Sequence, residues 1–275
     1  MNRGVCYLLT GADPWYRLML LVSTTTLRRH YSGEVVVITD QNGLGMNVRE
    51  VHVPSPPINE RFGRNRWYHY KPQIARLSSL DSAVFLDCDT MVAGPLDNLF
   101  LPEGDPRLRL TRFADLTTTD TQVRHRLLAM VQAGLLHPTR CDQLMVEGIA
   151  AINTGVYAMT PAMAWADRWL LTVRTIDRFW LHDELAAQVL YPELPHDLVS
   201  DRFNMMPGFT KRAAEEAVIW HCPGGRYGRD FFPGKPMPAH AKLWYDTLAE
   251  CWDTNAGDVR SWWPDGEWRL PKGDR

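Results

Sequence analysis

Two aspartates one residue apart close an apolar run in Val84-Phe85-Leu86-Asp87-Cys88-Asp89-Thr90. In extended backbone, residues two apart share a face, so Asp87 and Asp89 can converge on one cation while Cys88 points into the fold. Hard carboxylate oxygens favour Mg, Mn or Ca. Such a pair also suits a solvated turn. The residues before it, Ser82-Ala83-Val84-Phe85-Leu86, are apolar enough for a strand buried on both faces of a parallel or mixed sheet. Ligands of open α/β sheets gather at the carboxyl ends of such strands, which favours the cation over the turn.

A second chemical stretch, Arg61 to Lys71, holds Arg61, Arg64, Arg66, Trp67, Tyr68, His69, Tyr70 and Lys71. Cations among aromatics suit a grip on phosphates with ring stacking, or else a wet loop whose rings tuck against the core. A third, His221 followed by Cys222-Pro223-Gly224-Gly225-Arg226-Tyr227-Gly228-Arg229, ends an apolar strand in glycines that allow close backbone approach to a bound group.

These residues need a scaffold, and the pattern supplies an alternating one. Val5–Thr10 reads as a strand and Gly11-Ala12-Asp13 as a turn. Pro14 starts a helix through Leu18, Leu21, Val22 and Leu27, and Glu34–Thr39 is the next strand. The loop from Thr10 to Tyr16 lies where a nucleotide sits in a doubly wound fold, but it has no G-x-G-x-x-G, so recognition there would rest on stacking and side-chain hydrogen bonds. Val48–Val53, Leu108–Phe113, Ile149–Met159 and Ala217–Trp220 complete the expected strands, and Gly94–Phe100 gives a turn and short helix. Helices are expected over Gln122–Leu135, from Pro161 to Trp180, and over Asp183–Leu190.

With 275 residues the chain can bury a substantial core without staples. A net charge of -2 gives no general attraction to polyanions. Cys6, Cys88, Cys141, Cys222 and Cys251 are odd in number and lack C-x-x-C spacing, which argues against a disulfide framework or a zinc knuckle and fits a reducing compartment. Without a signal-peptide pattern or an apolar run near 18 residues, a soluble cytoplasmic protein is expected. Trp244, Trp252, Trp262, Trp263 and Trp268 concentrate in the tail. They read as a structural wrap or a binding surface, a Trp-rich helical extension over 236–275 packed on a first unit over 1–235.

Several stretches together resemble one family. Leu9-Thr10-Gly11-Ala12-Asp13-Pro14-Trp15-Tyr16, Tyr70-Lys71, the D-x-D of Phe85-Leu86-Asp87-Cys88-Asp89-Thr90, Asn153-Thr154-Gly155-Val156-Tyr157, Asp183-Glu184 and Ile219-Trp220-His221-x-x-Gly224 occur in the order of retaining glycosyltransferases of the GT-A fold, family 8, which includes glycogenin and bacterial galactosyltransferases. The resemblance implies an α/β fold of the nucleotide-diphospho-sugar transferase type, with a mixed central sheet flanked by helices. It implies a UDP-sugar donor and an acceptor hydroxyl.

It further implies that Asp87, Asp89 and His221 hold Mn, with Mg an alternative, and that Thr10, Asp13 and Tyr16 address nucleobase and ribose, Tyr16 by stacking. Lys71 would lie near phosphate or donor sugar, with Cys88, Thr154, Gly155 and Gly224 also lining the donor site. Asn153 and Asp183 would face the donor sugar and acceptor. Tyr227 stands where the family's diphosphate-binding lysine is usual, leaving Arg226 or Arg229 to substitute. Retention can arise by front-face reaction or by double displacement through Asp183; Asp183 also suits an N-cap and Asn153 a turn. The acceptor is a saccharide or another hydroxyl, with hydroxylated nucleic acid a minority option. A non-catalytic nucleotide-sugar or polyanion-binding module is the alternative function. A metal-dependent nucleotidyltransferase or phosphohydrolase ranks behind, since it leaves N-T-G and H-x-x-G unexplained.

Overall fold

The computed structural model describes residues 1–11, 13–56, 58–59, 64–65, 67–163, 165–176, 182–223 and 237–262. In chain order these form β1 (Arg3–Leu9), α1 (Pro14–Arg28), β2 (Glu34–Thr39), β3 (Arg49–His52), β4 (Ile58–Asn59) and β5 (Arg64–Asn65). Next come α2 (Ile74–Ser78), β6 (Ser82–Leu86), β7 (Thr90–Val92), β8 (Leu108–Thr117), α3 (Thr121–Gln132) and α4 (Pro138–Glu147). The remainder is β9 (Ala150–Met159), α5 (Ala166–Thr175), α6 (His182–Leu190), β10 (His196–Val199), β11 (Ile219–His221) and α7 (Ala239–Trp262).

Seven strands make the central sheet in the order β10-β8-β9-β6-β1-β2-β3. It is mixed: β1 runs parallel to β2 and β6, whereas β9 is antiparallel to both β6 and β8. Side-chain alternation gives each face its own core. Val5, Tyr7, Leu9, Val84 and Leu86 join a cluster with α1 and α7 on one side, while Cys6, Leu8, Ala83, Phe85 and Tyr157 join α5 and α6 on the other. All five residues of β6 are buried, as its apolar run requires.

Asp13 caps α1 by accepting the Trp15 backbone N–H at 2.9 Å, and Pro14 occupies the first turn, where its missing N–H costs nothing. From Leu18 to Thr24 every residue of α1 is buried, because the helix lies between the sheet and α7. Trp244 of α7 meets Trp15 with ring centroids 6.0 Å apart, Cys251 contacts the Thr25 hydroxyl at 3.4 Å, and Glu250 pairs with Arg29.

The differences from the sequence expectation have local causes. The segment expected as one helix ends at Gln132, Gly134 follows at φ +70°, and Pro138 opens a second helix, α4, which has only Cys141 and Leu144 as buried anchors. Pro161 does not open a helix: it lies in a turn, and α5 begins at Ala166. Trp180, the expected end of that helix, lies outside the described residues. β7 and β10 are too short to carry a period, and pairing alone defines them. The five cysteines are buried, and none of them forms a disulfide. Among the described residues no helix is long and apolar enough to cross a membrane.

Candidate functional site

β6 delivers Asp87 to the carboxyl end of the sheet, and the Asp87 N–H donates to the Gly155 carbonyl of β9 at 2.8 Å, so the first acid leaves the ladder at a fixed point. The Thr90 N–H and hydroxyl both return to the Asp87 carbonyl, at 3.2 and 2.8 Å, closing a turn that presents Asp89. β7 then pairs antiparallel with β11, placing His221 opposite Thr90, and the Cys222 N–H donates to the Asp89 carbonyl at 3.0 Å. His221 Nε2 consequently stands 3.3 Å from Asp89 Oδ1 and 3.8 Å from Asp87 Oδ2. The three side chains offer ligand atoms within 4.8 Å of one another.

Gly155 makes this approach possible. A Cβ there would lie 2.2 Å from His221 Cε1 and 2.6 Å from Nδ1, so any larger residue collides with the imidazole. The glycine of the N-T-G segment is thus a space requirement of the histidine.

Lys71 sits beneath the acids at 2 % exposure, 3.0 Å from Asp87 Oδ1 and 2.8 Å from Asp183 Oδ2. Thr154 fixes the far end of this pair: its hydroxyl donates to Asp183 at 2.7 Å and its carbonyl accepts from Lys71 at 3.3 Å. Trp67 and Phe85 face the ammonium with their rings at 4.9 and 5.1 Å. Burial alone would discharge Lys71, but the charges of Asp183 and Asp87 outweigh it and raise the ammonium's pKa. Burial likewise pushes Asp183 upward, yet Lys71 holds it below the usual carboxylate range. Asp87 goes the other way: burial, aided by Asp89, raises it despite Lys71. For His221, burial lowers the pKa and the two aspartates more than reverse this. The acids crowd around few positive charges, an arrangement compatible with a further cation.

A line of buried hydrogen bonds runs behind the imidazole. Asn204, 1 % exposed, accepts from His221 Nδ1 at 2.8 Å. Its amide group donates to Thr111 Oγ1 at 2.7 Å and to Asn153 Oδ1 at 3.0 Å. Asn153 in turn donates to Glu184 at 2.5 Å, and Arg126 of α3 closes the line on the other Glu184 oxygen at 2.5 Å. Burial pushes the Glu184 carboxyl up and Arg126 opposes it. Asn153 is therefore a buried strand residue, not a turn. Asp183 lies in the first turn of α6, its carboxylate engaged by Lys71 and Thr154.

After β1, the strand beside β6 on the side away from β9, the β1–α1 loop is pinned by Asp40, which accepts the Gly11 N–H at 3.0 Å, and by Gln41, which reaches both Gly11 and Arg17. The Thr10 hydroxyl is buried with no hydrogen-bond partner among the described residues. Tyr16 is 41 % exposed, and Asp13 is spent on capping α1. The Cys88 thiol turns into the core toward the Leu8 carbonyl at 3.4 Å, leaving only its backbone on the ligand side.

Gly224, Arg226, Tyr227 and Arg229 lie outside the described residues, as do Arg61 and Arg66. Of the basic aromatic stretch, Tyr68 and Lys71 are buried, so Lys71 faces the acids and not solvent. Asn204 and Asp40 are the residues that motif reading missed. Neither has a sequence signal, because the partners that define them come from distant strands.

The donor set fits a divalent ion. Two hard carboxylates and one imidazole converge, the Nδ1 atom is already bonded to Asn204, and Nε2 faces the acids.

No protein-family model matches the sequence, and no curated protein matches it either. Solved structures do match in shape. A galactosyltransferase, LgtC, in complex with donor and acceptor sugar analogues, superposes with a TM-score of 0.58 at 14% identity over 90% of this chain and 95% of that one. The glycosyltransferase GlyE of Streptococcus pneumoniae TIGR4 gives 0.58 at 14% over 95% of this chain and 63% of that one. The bifunctional glycosyltransferase WbbM gives 0.55 at 13% over 94% and 51%. With its mixed seven-stranded sheet, helices on both faces and acids at the carboxyl end of β6, the chain has the GT-A glycosyltransferase fold.

Proposed function

We propose that this protein is a metal-dependent retaining glycosyltransferase that moves a hexose from a UDP-sugar to an acceptor hydroxyl. The observation that carries the reading is the convergence of Asp87, Asp89 and His221 at the end of β6 within this fold. Those three residues would hold the ion, Mn by the mix of imidazole and carboxylate, with Mg the alternative. A bound ion would supply positive charge to the leaving diphosphate. The catalytic unit is assigned to residues 1–235, with 236–275 as an extension.

The chain's own residues divide the remaining work. Tyr16, 41 % exposed, is assigned to stacking on the uracil, and Thr10 and Asp13 to base and ribose, with Asp13 also capping α1. Gly224, Arg226 and Arg229 are assigned to the diphosphate end, where a guanidinium would stand in for the usual lysine. Asn153 and Asp183 are assigned to the donor sugar and acceptor. Because Asp183 is bound by both Lys71 and Thr154, its fixed negative charge suits stabilisation of an oxocarbenium-like sugar better than nucleophilic attack. A front-face course follows, in which the leaving phosphate oxygen takes the acceptor proton.

The test is a screen of UDP-sugars by mass spectrometry, with Mn present, on the parent and on Asp89→Ala. Donor hydrolysis or transfer in the parent that needs the metal and vanishes in the variant is expected. Equal turnover in both would remove the metal role, and donor binding without any turnover would favour a binding module.

A further inference from the structure

The orientation of Asn204 is set by groups whose polarity is not negotiable. Thr111 Oγ1 lies 2.8 Å from the Val156 carbonyl, to which the hydroxyl must donate, so toward Asn204 it can only accept. The Asn204 atom facing it at 2.7 Å is therefore the amide nitrogen. Asn153 gives the same answer independently. Its Oδ1 receives the Gly155 backbone N–H at 2.8 Å, which identifies that atom as oxygen, and the Asn204 atom 3.0 Å away must again be nitrogen. The other end of the Asn204 amide is then an oxygen, and it faces His221 Nδ1 at 2.8 Å. Only a protonated Nδ1 can satisfy it.

The position of Asn204 is fixed as firmly as its rotation. The Met205 N–H donates to the Ile219 carbonyl and the His221 N–H to the Met205 carbonyl, both at 2.9 Å, so the segment behind the histidine is stitched to β11 on both sides of Trp220. Asn204, Thr111 and Asn153 are all buried, which makes loss of any bond in the set costly.

We infer that Asn204 is the positioning residue of the cation site: it holds His221 in the Nδ1–H form, leaving Nε2 as the donor atom toward Asp87 and Asp89, and ties that imidazole to Asn153. The inference rests on the proposed metal site for its purpose, but the proton assignment stands on hydrogen bonds alone. A histidine ligand whose other ring nitrogen is anchored binds its metal better oriented, and loss of such an anchor typically costs about 10–100-fold in affinity.

The experiment has two arms on the full chain. In the first, Mn²⁺ is titrated calorimetrically into metal-free parent and into Asn204→Ala, with circular dichroism and thermal melts recording whether the variant is folded. Weakening by about 10–100-fold in a folded variant is expected; affinity within about twofold of the parent overturns the positioning role. In the second, the ring nitrogens of ¹⁵N-histidine-labelled, metal-free parent are read by two-bond correlation at a pH where His221 is neutral. A proton on Nδ1 is expected, and a proton on Nε2 overturns the assignment whether or not Asn204→Ala folds. If the parent takes up no Mn²⁺ but shows Nδ1–H, the metal reading fails while the Asn204 assignment survives.

Discussion

At the scale of single residues, the site is held by contacts that leave little room for substitution, and three changes probe them. Gly155→Ala places a methyl group 2.2 Å from the His221 ring, so the imidazole must turn away from the acids. We expect Mn²⁺ affinity to fall at least tenfold and stability by about 1–3 kcal/mol, the usual cost of overpacking, checked by calorimetric titration and urea unfolding. Lys71→Met keeps the volume but strands two carboxylates, Asp183 at 6 % side-chain exposure and Asp87 at 24 %. Breaking a buried pair from one side costs about 3–5 kcal/mol, and the loss should shrink at low pH as the two acids protonate. A urea midpoint unchanged at neutral pH would refute the view of Lys71 as their counter-charge. Arg126→Ala removes the guanidinium that opposes the burial of Glu184, so the Glu184 carboxyl should titrate higher still. Carboxyl ¹³C shifts followed against pH would show this.

At the scale of elements, α7 braces both halves of the site, since Trp244 packs on Trp15 beside the β1–α1 loop and His240 packs on Trp220, the neighbour of His221. Trp244 is 1 % exposed, and Trp244→Ala should cost about 3–5 kcal/mol through the cavity it leaves; denaturant unfolding measures this. Much of this scaffold is legible in the chain itself. β2 spans Glu34–Thr39 and β6 Ser82–Leu86, the limits their apolar runs set, and Pro14 marks the start of α1. The acids and the histidine also stand out by type, and the structure brings them together. What sequence could not show is pairing. β7 has three residues, and its partner β11 lies far along the chain, so no local pattern reveals the ribbon that carries His221 to Asp89. Asn204 is invisible for the same reason: an asparagine in an unpatterned loop acquires its role only from Thr111, Asn153 and His221 around it. Lys71 was legible as a cation near the site, but its burial against Asp87 and Asp183 was not.

At the scale of the whole molecule, a net charge of -2 predicts little long-range pull on a polyanion. With a saccharide acceptor, turnover should therefore change little between low and physiological salt, whereas a nucleic-acid acceptor would impose a steep, log-linear fall and sensitivity to Arg64→Ala or Arg66→Ala. Acid should weaken the fold at the sheet edge, where Arg107 bridges Asp105 and Asp197. Asp105 is held below the usual carboxylate range mainly by its hydrogen bond from Arg107. Its stabilisation is thus complete above the unfolded value of about 3.9 and fades as the pH falls through the lower folded value. Asp105→Asn should be less stable than the parent at pH 6 and approach it as the solution is acidified below pH 4, as urea midpoints would reveal. The two-stranded ribbon of β7 and β11 has one further consequence. A nascent polypeptide emerging from the ribosome displays both aspartates long before the imidazole is synthesised, so the three side chains cannot converge until the late strand has docked. Were they to hold the proposed ion, its uptake would report completed folding, and truncated or misassembled copies would be unable to load.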